Sequence, residues 1–212
     1  MKPPRKLSVE IKAFTTAAAL TSTLLASAVT SHASPAATVY PSAIAPLYQT
    51  AAGPAQIASL TPGTPLSVAT PPANGAAREE ITIEGWSEQG GGAVVYQAPD
   101  LRIILATLGQ AGLSHRTVLG QQRDSYGTVW RHVELSGWVA VSSVVPSVAT
   151  VWATAGKLFA TRCSVCHALR NPAEFTANQW PSILRAMVKN AGLDAAQVAL
   201  VTKYLQAHAR AQ

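Results

Sequence analysis

The sequence predicts a multi-domain β + α chain in which tandem small β units are followed by a small all-α domain. Three observations carry this. A segment of about fifty residues repeats itself between residues 43 and 147. Each copy closes on a strand-like alternation of apolar and polar residues. Composition then switches near Pro146, where strand signals stop and helix signals start.

The 212 residues open on a basic start, Lys2, Arg5, Lys6 and Lys12. An uncharged run of small and apolar residues follows from Ala13 to Val29, and Ser31-His32-Ala33 offers a signal-peptidase site. Residues 1–33 therefore read as a Sec-type signal peptide, cleaved after Ala33, and the mature chain is expected in the periplasm. A retained membrane anchor is the competing reading. The run is short for a span and dominated by Ala, Thr and Ser, so no stable membrane span is expected after cleavage. Without an adjacent Arg pair, a twin-arginine route is not expected. Removing this segment leaves a charge of about +3, too mild to imply a nucleic-acid partner.

Residues 34–77 hold no Asp or Glu, Lys or Arg, and 34–42 reads as a linker. The repeat begins next. Tyr48-Gln49 is followed twelve positions later by Leu60, and Tyr96-Gln97 twelve positions later by Leu108. Ile81-Thr82-Ile83-Glu84-Gly85-Trp86 closes the first copy, and Val133-Glu134-Leu135-Ser136-Gly137-Trp138 closes the second. The two units span 43–88 and 91–147. Pro62-Gly63-Thr64-Pro65, Gln89-Gly90-Gly91-Gly92 and Tyr126-Gly127 punctuate them as turns. Short strands, glycine turns and a Gly-Trp close resemble bacterial SH3-like barrels. Trp86, Trp130 and Trp138 are expected as inward-packed core aromatics, with a ligand groove as the alternative. His115 and His132 read as surface or internally satisfied histidines.

Past Pro146, Trp152 to Arg162 reads as a helix leading into two cysteines. Trp180, Ile183, Leu184 and Met187 share one helical face, with Pro181 near the helix start and Asn178 as N-cap. Asp194 and Gln197 form a capping-box start for a last helix, whose apolar face is Val198, Val201, Tyr204 and Leu205. Residues 150–212 are too few to bury a large core unaided and call for a staple.

Cys163-Ser164-Val165-Cys166-His167 supplies one. It is the c-type haem attachment pattern, with two residues between the cysteines so that both sulfurs reach one porphyrin. The next residue, His167, is then carried under the iron as the proximal ligand. A thioredoxin-type pair would need a βαβ setting and no following His, and a structural zinc site would need a second ligand pair. The only cysteines in the chain are these two, so one covalent haem c is expected, in a class I-like cytochrome c domain. Such a protein carries single electrons and is not an enzyme.

Met187 is the one methionine left after residue 33 and is the candidate distal ligand, twenty residues past His167. Its competing role is core filler on the Trp180–Leu184 face. His208 is the runner-up ligand. An open sixth position would instead indicate a haem-based redox or gas sensor. Residues 150–212 carry seven basic and two acidic side chains, whereas 34–149 carry five and seven. A basic surface around the haem would steer docking onto an acidic redox partner.

Further residues carry a resemblance. Phe159 four positions before the motif, Phe175-Thr176-Ala177-Asn178-Gln179-Trp180, Ala186-Met187 and Lys203-Tyr204-Leu205-Gln206-Ala207-His208 resemble the C-terminal part of the pentahaem TorC/TorY-type cytochromes. The likeness extends upstream through Leu105-Ala106-Thr107-Leu108 and Gly137-Trp138, covering 43–212. It implies donation to a periplasmic molybdenum oxidoreductase that reduces N- or S-oxides. It also implies Cys163 and Cys166 as attachment sites, His167 as proximal ligand and Met187 as distal ligand. The family's tetrahaem, membrane-anchored module has no counterpart here, so a separate quinol-oxidising cytochrome is the expected electron donor. The alternative is that the chain accepts electrons from a periplasmic dehydrogenase.

Overall fold

The computed structural model describes residues 37–211 apart from Ala69. The signal peptide expected over residues 1–33 lies outside the described residues. Ten strands come first: β1 (Ala37–Pro41), β2 (Ala45–Tyr48), β3 (Gln56–Leu60), β4 (Leu66–Val68), β5 (Arg78–Glu88), β6 (Val94–Ala98), β7 (Leu101–Leu108), β8 (Arg116–Arg123), β9 (Val129–Ala140) and β10 (Val144–Val145). Three helices follow: α1 (Val148–Cys163), α2 (Trp180–Ala191) and α3 (Ala195–Ala207). The β plus α order is the one expected. Among the described residues no helix is long and apolar enough to cross a membrane.

The strands form one antiparallel sheet in the order β10-β1-β4-β5-β6-β7-β3-β2-β9-β8, and β5 also pairs with β9. That last pairing closes β5, β6, β7, β3, β2 and β9 into a ring. The repeat is visible in its register. Ile83 lies opposite Leu135, and Ser59 opposite Thr107, so the two copies face each other across a local pseudo-two-fold. The copies are not independent units, as a tandem reading supposed. They exchange strands: Tyr48 of the first pairs with Trp138 of the second, and Trp86 of the first with Tyr96 of the second.

The exchange explains the glycine before each closing Trp. A side chain at Gly137 would place its Cβ 2.8 Å from the Tyr48 carbonyl oxygen and 2.8 Å from Leu47 Cγ. At Gly85 it would meet the Tyr96 carbonyl oxygen at 2.6 Å and Val95 Cγ1 at 2.5 Å. Glycine is thus required where the other copy's strand crosses closely. The period of two then turns the next residue outward. Trp86 and Trp138 are half-buried on the outer face, a correction to their reading as core aromatics; Trp130 alone of the three is in the core. Trp86 stacks on His132 at 4.8 Å, and His132 Nε2 lies 3.3 Å from Glu84, so this histidine is satisfied within the β region. His115 is exposed.

The stretch read as a linker contains β1, which pairs with β4 and β10. A strand there is held by partners far along the chain, and its short sequence gives no alternation to announce it. The core of the β body runs through Leu47, Ile57, Leu60, Ile81, Ile83, Val95, Leu105, Val133 and Leu135. On α1, Val151 and Ala155 pack against Tyr40, Val145 and Leu200, joining the helical segment to β1 and β10.

Candidate haem site

The helical segment is built around Trp180. Its indole is fully buried, donates from Nε1 to the Pro172 carbonyl at 2.8 Å and packs edge-on against Phe175. Phe159, Leu184, Val201 and Leu205 complete this core, and Cys163 sits at its edge. Asp194 caps α3 as expected, accepting from Gln197 N at 2.8 Å while the Gln197 side chain accepts from Asp194 N at 3.2 Å. Asn178 does not cap α2, which begins after Gln179 with no side-chain cap. It reaches the β body instead, accepting from Arg102 N at 2.8 Å and donating to the Asp100 carbonyl at 2.6 Å. The turn between β6 and β7 thus outcompetes the local capping role.

α1 ends at Cys163, which its last turn buries almost completely, and the chain leaves through Ser164–His167 in an exposed turn. On α2 the stripe Trp180, Leu184, Met187, Ala191 follows the helical repeat of four, three and four residues. Its first two members are buried, and the last two emerge beside the cysteine turn. The result is a cleft of about 100 Å³ lined by Arg162, Cys163, Cys166, His167, Met187, Asn190 and Ala191. Two thiols, an imidazole and a thioether therefore share one small concavity. Reasoning from sequence singled out these four; Asn190 and Ala191 follow from Met187 by helical spacing, whereas Arg162 carried no signal beyond its charge.

The chemistry of each group suits a covalent haem. Both cysteines are free thiols. Burial pushes the Cys163 thiol up from its ordinary value, which keeps it protonated and slows disulfide formation with Cys166. His167 Nδ1 lies 2.7 Å from the Ala168 carbonyl oxygen. A carbonyl only accepts, so that contact places the proton on Nδ1 and leaves the Nε2 lone pair available to a metal. Val165 and Leu169, beside the cysteines, are 77% and 43% exposed, an apolar surface that a porphyrin could cover. The donor set and its apolar surroundings fit the group that the motif implies.

His208 lies apart from these residues. It is exposed at the end of α3, its Nδ1 2.8 Å from the Tyr204 carbonyl oxygen and its ring against Tyr204 and Trp152. It does not line the cleft. Arg162 is exposed at the cleft, Arg185 and Lys189 are exposed on α2 outside its lining, and Arg170 is paired with Glu174.

Comparison with known proteins adds two family matches. The family model "TorC third cytochrome c domain" matches residues 33–144, and "Dihaem cytochrome c" matches residues 159–212. The first of these spans contains no cysteine, and both cysteines of the chain fall in the second. The cytochrome c-type protein TorY of Escherichia coli O157:H7 is 32% identical over 156 residues, covering 73% of this chain and 42% of the relative. TorY of Haemophilus influenzae is 31% identical, over 61% of this chain and 35% of the relative. TorC of Escherichia coli K12 is 30% identical, over 61% and 34%. The chain thus spans roughly two-fifths or less of the length of these relatives. No solved structure gives a significant match.

Proposed function

We propose that this chain, which belongs to the TorC/TorY-type c-type cytochromes, is a periplasmic monohaem electron carrier that donates to a molybdenum N- or S-oxide reductase. The observation that carries the haem assignment is the single cleft shared by Cys163, Cys166, His167 and Met187. Cys163 and Cys166 would hold the group as thioethers, and His167 Nε2 and Met187 Sδ would be the protein's ligands to its iron. Bound there, haem c supplies a one-electron ferric–ferrous couple.

The chain's own residues hold and tune this site. The buried Trp180 at its first turn and Leu184 one turn on anchor α2 in the core, so Met187 is presented by a rigid helix. Leu184 and Ala191 flank it on the same stripe, and an apolar wall disfavours the more highly charged oxidised state. A thioether ligand acts in the same direction and raises the potential. Arg162, at the cleft, and the basic excess of residues 150–212 would steer an acidic partner toward this segment. The β body reads as two SH3-like units with exchanged strands, serving as docking scaffold, and 150–212 as a class I-like cytochrome c domain. The reductase as acceptor rests on the family resemblance, as does a separate quinol-oxidising cytochrome as donor.

The test is the absorption spectrum, oxidised and reduced, of protein matured with haem, compared with Met187→Ala. A c-type spectrum with a methionine–iron charge-transfer band, lost in the variant, is expected. A spectrum unchanged by the substitution would return Met187 to the core and bring a sensor role forward. Absence of covalent haem would overturn the assignment. If pull-down from the native periplasm recovers no oxidoreductase, the partner assignment fails while the haem assignment stands.

A further inference from the structure

A second concavity, of about 370 Å³, lies where the helical segment meets the β body. Its volume falls in the range of small-molecule sites. Leu101 and Ile103 of β7 and Trp152 of α1 form apolar walls, and Lys203 and Arg210 contribute the charge. The backbone of β7 is tied to the helical segment across it. Gln206 Nε2 donates to the Ala177 carbonyl at 3.1 Å and the Arg102 carbonyl at 3.3 Å. Lys203 Nζ donates to the Ile104 carbonyl at 3.0 Å.

Lys203 is the anomaly. It is only 6% exposed, yet among the described residues no carboxylate lies within ion-pair distance of it or of Arg210. The Ile104 carbonyl takes one of its three protons. Tethering β7 does not require a charge, because Gln206, one turn on, does so with a neutral amide. A buried cation without a counter-charge is costly. Here it faces a cavity with a second cation in its lining and no acidic residue.

We propose that this cavity binds a small monocarboxylate, with its carboxylate on Lys203 and Arg210 and its apolar part against Leu101, Ile103 and Trp152. The apolar walls of Leu101, Ile103 and Trp152 match an anion with an apolar body better than a phosphate, whose remaining oxygens would lie against them without hydrogen bonds. The bound carboxylate would bridge α3 and β7 and so reinforce the junction between helices and sheet. Burial lowers the Lys203 pKa to about 8, leaving it charged at neutral pH. The lining residues from β6, β7 and α1 do not titrate. Affinity should therefore hold from about pH 6, where the ligand's carboxyl is ionised, up to about 8, and fall about tenfold per unit above that.

The experiment uses the haem-loaded full chain, titrated with benzoate or butyrate at constant ionic strength, with benzamide as the neutral control. Saturable calorimetric binding is expected for both carboxylates and not for benzamide. The melting temperature should rise by about 4 °C at a ligand concentration tenfold above Kd. Lys203→Met should weaken binding at least about tenfold. Because that change also removes a tether, Ala207→Leu, which fills the lining while keeping Lys203, should weaken binding too. Non-saturable binding, equal binding of benzamide, or affinity undiminished in either variant would overturn the proposal. Binding is read by heat and melting, not by the haem spectrum, so its failure is distinguishable from failure of the electron-carrier reading.

Discussion

The β body and the helical segment bury their apolar residues under different constraints. In the β body the two copies are joined by the pairings β3–β7, β5–β9, β2–β9 and β5–β6. The core from Leu47 to Val139 is sealed by a closed ring of backbone hydrogen bonds. In the helical segment three short helices converge on Trp180 and Phe159. The core ends at Cys163, beyond which Val165 and Leu169 face outward. The difference teaches where each region draws its stability. Exchanged strands make the β body self-sufficient, whereas a segment of about sixty residues with one aromatic centre depends on what is attached at its open edge.

The comparison breaks most sharply at Trp180. Trp180→Ala should cost about 3–5 kcal/mol, and the loss should fall on the helices. Helical circular dichroism should melt well below the β transition. A single, equally lowered transition for both regions would show that they unfold as one unit. Next come the two crossing glycines. Gly85→Ala and Gly137→Ala should each cost about 1–3 kcal/mol in denaturant unfolding, and similar amounts, because the pseudo-two-fold sets each against a tyrosine carbonyl and the apolar residue before it. Markedly unequal costs would mean the two halves are not energetically equivalent.

A third effect is a pH slope at the junction of the two regions. Lys203 is lowered from 10.5 to about 8 by burial, so between those values the unfolded chain binds more protons than the folded one. Stability contributed at this site should rise with pH across that window and level off above it. Lys203→Met should flatten that rise. An identical slope in the variant would remove Lys203 as its source.

Much of this molecule was legible because its signals are local. The Cys163–His167 motif is a covalent spacing requirement. The capping box at Asp194 closes within four residues, and the Trp180–Met187 stripe is a helical period. The turn glycines Gly63, Gly90 and Gly127 take positive φ where the sequence placed turns. The failures are non-local. Asn178 has a cap residue's chemistry but is captured by Asp100 and Arg102, more than seventy positions earlier. Residues 37–41 are a strand only because β4 and β10 lie alongside.

The sequence by itself determined that a c-type attachment motif closes a helix, that a methionine follows on the next helical stripe, and that two related β copies precede them. Periodicity and spacing act over a few residues and need no knowledge of the rest of the chain. Tertiary structure alone decided that the copies exchange strands, that Trp86 and Trp138 face outward, that Met187 rather than His208 lines the cysteine cleft, and that Lys203 is buried without a counter-charge. Those outcomes depend on which distant segments meet. That choice is made by burying apolar surface and pairing backbone groups across the whole chain, which no local pattern encodes.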